Sequence, residues 1–172
     1  MGWLYEKLND LFVEDDGTFP EICICNLTPE EVQKTYLRIR SICTYVVGKP
    51  TFFNISEERE MALDEVENAA QLVCSGEAQP FHFMVRDLKF EKDYHIPEIG
   101  IFILANAVAL DYEKGRIWGE IEIESILSLI LKISNESTQA TIRLEESVSQ
   151  AAKERFYEAL ELLKKEKAGL EI

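Results

Sequence analysis

Residues 99–110 read IGIFILANAVAL, a run whose one polar side chain is Asn106, in a chain of net charge −14. A segment this apolar must be buried. Its length and its β-branched residues suit a central strand, although a buried helix fits the pattern nearly as well. Glu21–Leu27 (EICICNL) repeats the feature at shorter length. It is apolar on both faces, as in a strand covered on both sides.

The residues around these two runs set the order of elements. Trp3, Leu4, Leu8, Leu11 and Phe12 recur at helical spacing, so residues 1–12 form an N-terminal helix. Asp15-Asp16-Gly17 reads as a turn. Thr28-Pro29-Glu30-Glu31 is a helix start: Thr28 caps, Pro29 sits where its missing N–H costs nothing, and Glu31 closes a capping box. The stripe Val32, Tyr36, Ile39, Cys43 and Val46 carries that helix to a stop at Gly48-Lys49-Pro50. Thr51–Ser56 reads as a strand. A helix with Leu63, Val66, Ala70 and Val73 follows, ended by Gly76. Phe81, Phe83 and Val85 alternate along another strand, but Leu88 and Phe90 fall in the opposite phase, which calls for a bulge or break near Arg86-Asp87.

Trp118–Glu124 alternates like a strand, yet Ile123, Ile126, Leu127 and Ile130 continue as a helical stripe, which favours a helix from about Gly119. Ala140–Glu145 is a short strand. Ser147 and Gln150 box a C-terminal helix over 147–168, with Gly169 after it. The expected order is α-β-α-β-α-β-β-α-β-α. This is an α/β or α+β protein, one domain over residues 1–172, with a mixed sheet of about five strands and helices packed on it. At 172 residues, 47% hydrophobic and 10% aromatic, the chain is neither disordered nor in need of disulfides for a core.

Charge narrows the choice of partners. Residues 6–31 carry a net −7 and residues 57–77 a net −6, whereas residues 32–50 carry +4. Nucleic-acid binding rests on Lys and Arg neutralising phosphates, so a chain this acidic is a poor binder, and the same field disfavours anionic membrane surfaces. No apolar run is long enough to span a membrane, and the N-terminus lacks the features of a signal peptide. Cys23, Cys25, Cys43 and Cys74 form no CxxC and have no histidine at zinc-like spacing; Cys23 and Cys25, on one face of a strand, read as small buried hydrophobes, and the chain as reducing and cytoplasmic, without metal or cofactor.

Motifs for catalysis are sparse. The strand–helix junctions at Asn26–Pro29 and Glu145–Ser147 have no glycine and hold carboxylates, which makes them poor phosphate cradles. There is no GxSxG and no SxxK. Glu14-Asp15-Asp16 does not space its oxygens as a calcium loop does. His82 alternates with Phe81 and Phe83 and so points away from their face, while His95 reads as a loop residue. Asp111 ends the apolar run and opens L-D-Y-x-x-G-x-x-W. Asp111, Tyr112, Asp87 and His82 are therefore the first positions to test for chemistry.

The sequence favours a different role, more a non-enzyme than an enzyme. It reads as a small acidic interaction module, an inhibitor or immunity-type partner of a basic protein. Its contact residues would be Glu14, Asp15, Asp16, Glu57, Glu58, Glu60, Asp64, Glu65 and Glu67, gathered into one negative patch. The rival is a small-molecule site near Asp111, Tyr112 and His82. Self-association through an apolar strand or the Trp3 helix stays open.

Overall fold

The computed structural model describes residues 2–91 and 93–170; Met1, Lys92, Glu171 and Ile172 lie outside the described residues. The elements are α1 (Trp3–Phe12), β1 (Glu21–Cys25), α2 (Pro29–Ile42), β2 (Cys43–Val46), β3 (Thr51–Asn54), β4 (Arg59–Ala62), a 3-10 turn (Leu63–Glu65), α3 (Ala69–Ser75), β5 (Phe81–Leu88), β6 (Ile99–Leu104), β7 (Ala107–Asp111), α4 (Glu120–Asn135), β8 (Thr141–Leu144) and α5 (Gln150–Leu170). Six strands form one sheet in the order β2-β5-β6-β7-β1-β8, and β3 with β4 forms a separate hairpin. The α+β reading stands. Every pairing in the large sheet is antiparallel, so it is not the expected mixed sheet. Parallel neighbours need a crossover between adjacent strands, and here the helices join strands that are not adjacent or run opposite ways.

The apolar run is two strands instead of one. β6 and β7 fold back on each other about Ala105-Asn106, in register from Leu104↔Ala107 to Gly100↔Asp111. Twelve residues in one strand would reach about 40 Å, well beyond the usual strand length, and Asn106 supplies a turn residue at the midpoint. Two further strands escape the periodicity. Cys43–Val46 leaves the α2 stripe and pairs with β5, because a Cys-Thr-Tyr-Val stretch prefers an extended backbone. Arg59–Ala62 pairs with Thr51–Asn54, so the helix expected over this region is confined to α3.

Local signals behave as their chemistry requires. The Thr28 hydroxyl accepts from the Glu31 N–H, and the Glu31 carboxylate accepts from the Thr28 N–H. Gly76 ends α3 in the left-handed conformation. Asp87 has φ +54°, and this residue resets the phase of β5 so that Leu88 returns to the core beside Phe81, Phe83 and Val85. α5 departs from expectation at both ends. Its start is capped by Ser149, whose hydroxyl accepts from the Ala152 N–H, and it runs on through Gly169.

All five helices cover one face of the sheet. Ile22, Ile24, Phe81, Phe83, Ile99, Ile101, Ile103, Val108, Leu110 and Leu144 point to that side and are buried there with residues from Leu4 of α1 to Leu163 of α5 in one core. Alternation along each strand sends Glu21, Cys23, Cys25, His82, Met84, Gly100, Phe102, Leu104, Ala107, Ala109, Asp111 and Arg143 to the opposite face, which no helix covers. Coverage on both sides, expected for Glu21–Leu27, is thus realised on one side only. Cys23 and Cys25 accordingly lie half-buried on the open face.

Candidate functional site

Of the four positions singled out for chemistry, the fold brings two together. His82 on β5 and Asp111 on β7 are separated by β6, yet His82 Nε2 and Asp111 Oδ2 are 2.8 Å apart. The strand between them permits this because it places Gly100 below the pair. A methyl group at that position would collide with Asp111 Oδ1 and His82 Nε2. The pair lies on the open sheet face, with the two side chains 40% and 27% exposed. A carboxylate so placed orients an imidazole, which is half of an acid–base device.

Cys23 shares the cross-strand row of His82, but Phe102 and Ala109 stand between them. Burial, followed by the neighbouring Cys25, pushes the Cys23 thiol up to about 12, so it stays protonated at neutral pH. A protonated thiol is a poor nucleophile.

Tyr112 follows Asp111 and therefore points to the helical side. Its ring stacks on Phe12 with centroids 4.6 Å apart, and its hydroxyl donates to the Leu11 carbonyl at 3.1 Å. Burial holds its phenol far above the ordinary range. Tyr112 is thus a pillar of the core and not a neighbour of the His82–Asp111 pair.

Asp87 also separates from His82. Its carboxylate meets His95 Nε2 at 2.8 Å, beside the break that its positive φ makes in β5. His95 Nδ1 lies 3.8 Å from Glu122 Oε1, and Glu122 caps α4 by accepting from the Gly119 N–H. The His95 N–H donates to the Ser125 hydroxyl. His95 therefore ties the loop before β6 to the start of α4. In sequence it reads as a plain loop residue, and the one available signal is the change of phase near Arg86-Asp87, where a turned-out carboxylate needs a partner.

The acidic segments do not merge. Glu14, Asp15 and Asp16 lie in the loop that leads to Glu21, level with Gly100 and Asp111 in the sheet. The β3–β4 turn bridges to Ala78, beyond Phe81 at the other end of β5, with β6 and β7 between. The single contiguous patch is therefore replaced by two acidic sites at opposite ends of the sheet. The reason lies in the antiparallel order: β1 and β5 run in opposite directions, so the segments preceding them emerge at opposite ends.

Each site is partly neutralised. Asp16 pairs with Lys114, and hydrogen bonds from Thr18 and then Lys114 hold its carboxyl well below the usual range. Asp15 accepts from the Gly17 N–H. Around the hairpin, Arg59 pairs with Glu57 and Glu65, while Arg40 reaches Asp64. The Ala62 N–H, then Arg59, lowers the Glu65 carboxyl. Glu57, Glu58, Glu60, Asp64, Glu65 and Glu67 are all exposed, and Ile55 beside the turn is 46% exposed.

Among the described residues no group of three or more His, Cys, Asp or Glu could hold a metal ion, and no helix is long and apolar enough to cross a membrane. Comparison with protein-family models, with curated proteins and with solved structures found no match to this chain.

Proposed function

We propose that this protein is a cytoplasmic, non-catalytic interaction module that docks a basic protein on its β3–β4 hairpin, in the manner of an inhibitor or an immunity-type partner. One observation carries the reading: a two-stranded hairpin and the turn after it hold six exposed carboxylates over eleven residues, with Arg59 as the only cation within that span. Carboxylates gathered on one paired hairpin raise the local negative potential, so they act on association rate as well as on affinity. Ile55 at the turn gives the hairpin an apolar contact that steering alone would not need. The smaller acidic loop at Glu14–Asp16 is a separate element of the surface.

The test is capture from the source lysate on immobilised protein, at about 50 mM and about 500 mM NaCl, which screens exposed charge strongly. The wild type is compared with the combined Glu57→Lys, Glu58→Lys and Glu60→Lys variant. A basic protein held at low salt, released at high salt and missed by the variant is the expected result. Proteins held equally by both forms, or none at all, would overturn the reading.

A further inference from the structure

We infer that the cleft between the C-terminal halves of α4 and α5 binds a small anion that bears a phosphate group. Lys132 of α4 and Lys164 and Lys167 of α5 line this cleft of about 360 Å³, together with Ser128 and Asn135, and Glu91 stands at its edge. Acids outnumber bases 32 to 18 in the chain. Even so, among the described residues none of these three lysines forms an ion pair. Lys132 and Lys167 each lie in the last turn of a helix, where a cation complements the carbonyl end. That role explains neither Lys164 nor the meeting of all three at one cleft.

A second observation is independent of charge. Ser128 is 5% exposed, and its hydroxyl has no hydrogen-bond partner. A serine inside a helix commonly donates to the carbonyl four residues earlier, as Ser125 does to Ile121. Ser128 does not, so its donor stays unused where the residue borders the cleft. Lysine ammonium groups bind phosphate oxygens as point charges, and a serine hydroxyl adds a directed donor. Lys167 is also held in place. Its Nζ lies 4.6 Å from the centre of the Tyr94 ring and donates to the Tyr94 hydroxyl, which in turn donates to Glu124. Less freedom is then left to lose when an anion arrives.

Size and field select the kind of anion. The volume is near the lower end for small-molecule sites, which suits a metabolite and not an extended chain. With a net charge of −14 the protein repels nucleic acid and anionic membranes. A small ligand inside the cleft meets three lysines and one carboxylate at close range, whereas acids farther off than about 8 Å are screened at physiological salt. A phosphate group brings nearly two charges and three accepting oxygens at neutral pH, a closer match to three ammonium groups than a carboxylate offers.

Titration of nitrogen-15-labelled protein with pyrophosphate up to about 10 mM, in about 20 mM NaCl and read by amide chemical shifts, tests this. The shifts should saturate with a dissociation constant on the order of 1 mM and centre on residues 128–135 and 164–168. Lys132→Gln and Lys164→Gln should each weaken binding about fivefold, the effect of one exposed charge contact. Ser128→Ala should weaken it too, without lowering the urea midpoint, because the hydroxyl it removes has no partner in the fold. Lys165→Gln, beside Tyr157 and Leu162 outside the cleft, should bind as the wild type does. Vesicles of phosphatidylcholine and phosphatidic acid should not retain the protein. The inference is overturned by shifts that do not saturate, by equal losses from Lys165→Gln and Lys132→Gln, by full binding in Ser128→Ala, or by retention on the vesicles.

Discussion

At the scale of single residues, placement on one side of a strand or the other decides what a side chain does. Asp111 and Tyr112 are neighbours in sequence, yet one joins His82 in the open and the other stacks on Phe12 in the core. Alternation announced that separation. The partner that Asp111 finds two strands away was not visible, because it depends on Gly100 lying between them in the register. Glu21, at the start of β1, shares that row with Asp111. Burial first, then Asp111 and Glu145, raises its carboxyl above the ordinary value. An acid whose folded pKa is raised favours the folded state while protonated and opposes it once ionised. Its contribution is therefore present below the unfolded pKa and is lost as pH rises through the folded one. Glu21→Gln, which cannot ionise, should raise the urea midpoint at pH 7 and leave it nearly unchanged at about pH 3, where the wild-type side chain is protonated in both states. Urea titrations of both proteins at the two pH values measure this. A midpoint lowered at pH 7 would show that Glu21 makes a favourable contact as an anion.

Elements were legible in proportion to how local their signals are. The capping box at Thr28, the glycine after α3 and the break at Asp87 are set by a few adjacent residues, and the fold reproduces all three, the break as a positive φ with the pairing register unchanged. Strands β2 and β4 were hidden because each has four residues, too few for a period of two to stand out against neighbouring helical stripes. Their extended shape comes from partners distant in sequence, β5 for one and β3 for the other. At the start of α5 two serines compete as cap: Ser147, with Gln150 at box spacing, and Ser149. The structure assigns the role to Ser149, whose hydroxyl accepts the Ala152 N–H at 3.2 Å. Ser149→Ala should then cost about 1 kcal/mol of stability, the usual loss of a helix cap. Ser147→Ala should cost less than about 0.5 kcal/mol, as for a surface change with no structural partner. Chemical denaturation of the two variants side by side distinguishes the assignments, and the reverse order would put the helix start two residues earlier.

For the molecule as a whole, the large question is how a surface so acidic stays folded and in what arrangement. Its excess charge was plain in the sequence; its division between two ends of a sheet was not, because strand direction in the folded order sets where each loop emerges. Among the described residues eight Lys and Arg side chains pair with eight carboxylates, mostly in the open. Exposed pairs of this kind contribute about 0–1 kcal/mol each. The surplus acids of the hairpin repel one another across an exposed surface, and that repulsion opposes the compact state. Both effects are screened by salt, so the sign of the salt dependence reveals which is larger. Raising NaCl from about 10 mM to about 200 mM shortens the screening length from about 30 Å to below about 8 Å. Long-range repulsion among the carboxylates is removed first, whereas pairs in contact persist better. Stability should therefore rise, by about 1 kcal/mol or about half a molar in urea midpoint. The Glu57→Lys, Glu58→Lys and Glu60→Lys triple variant, in which the hairpin repulsion is already relieved, should show a smaller rise. A wild-type midpoint that falls with salt would mean that attraction among the paired charges outweighs the repulsion, and that the acidic hairpin is balanced by cations closer than its geometry suggests.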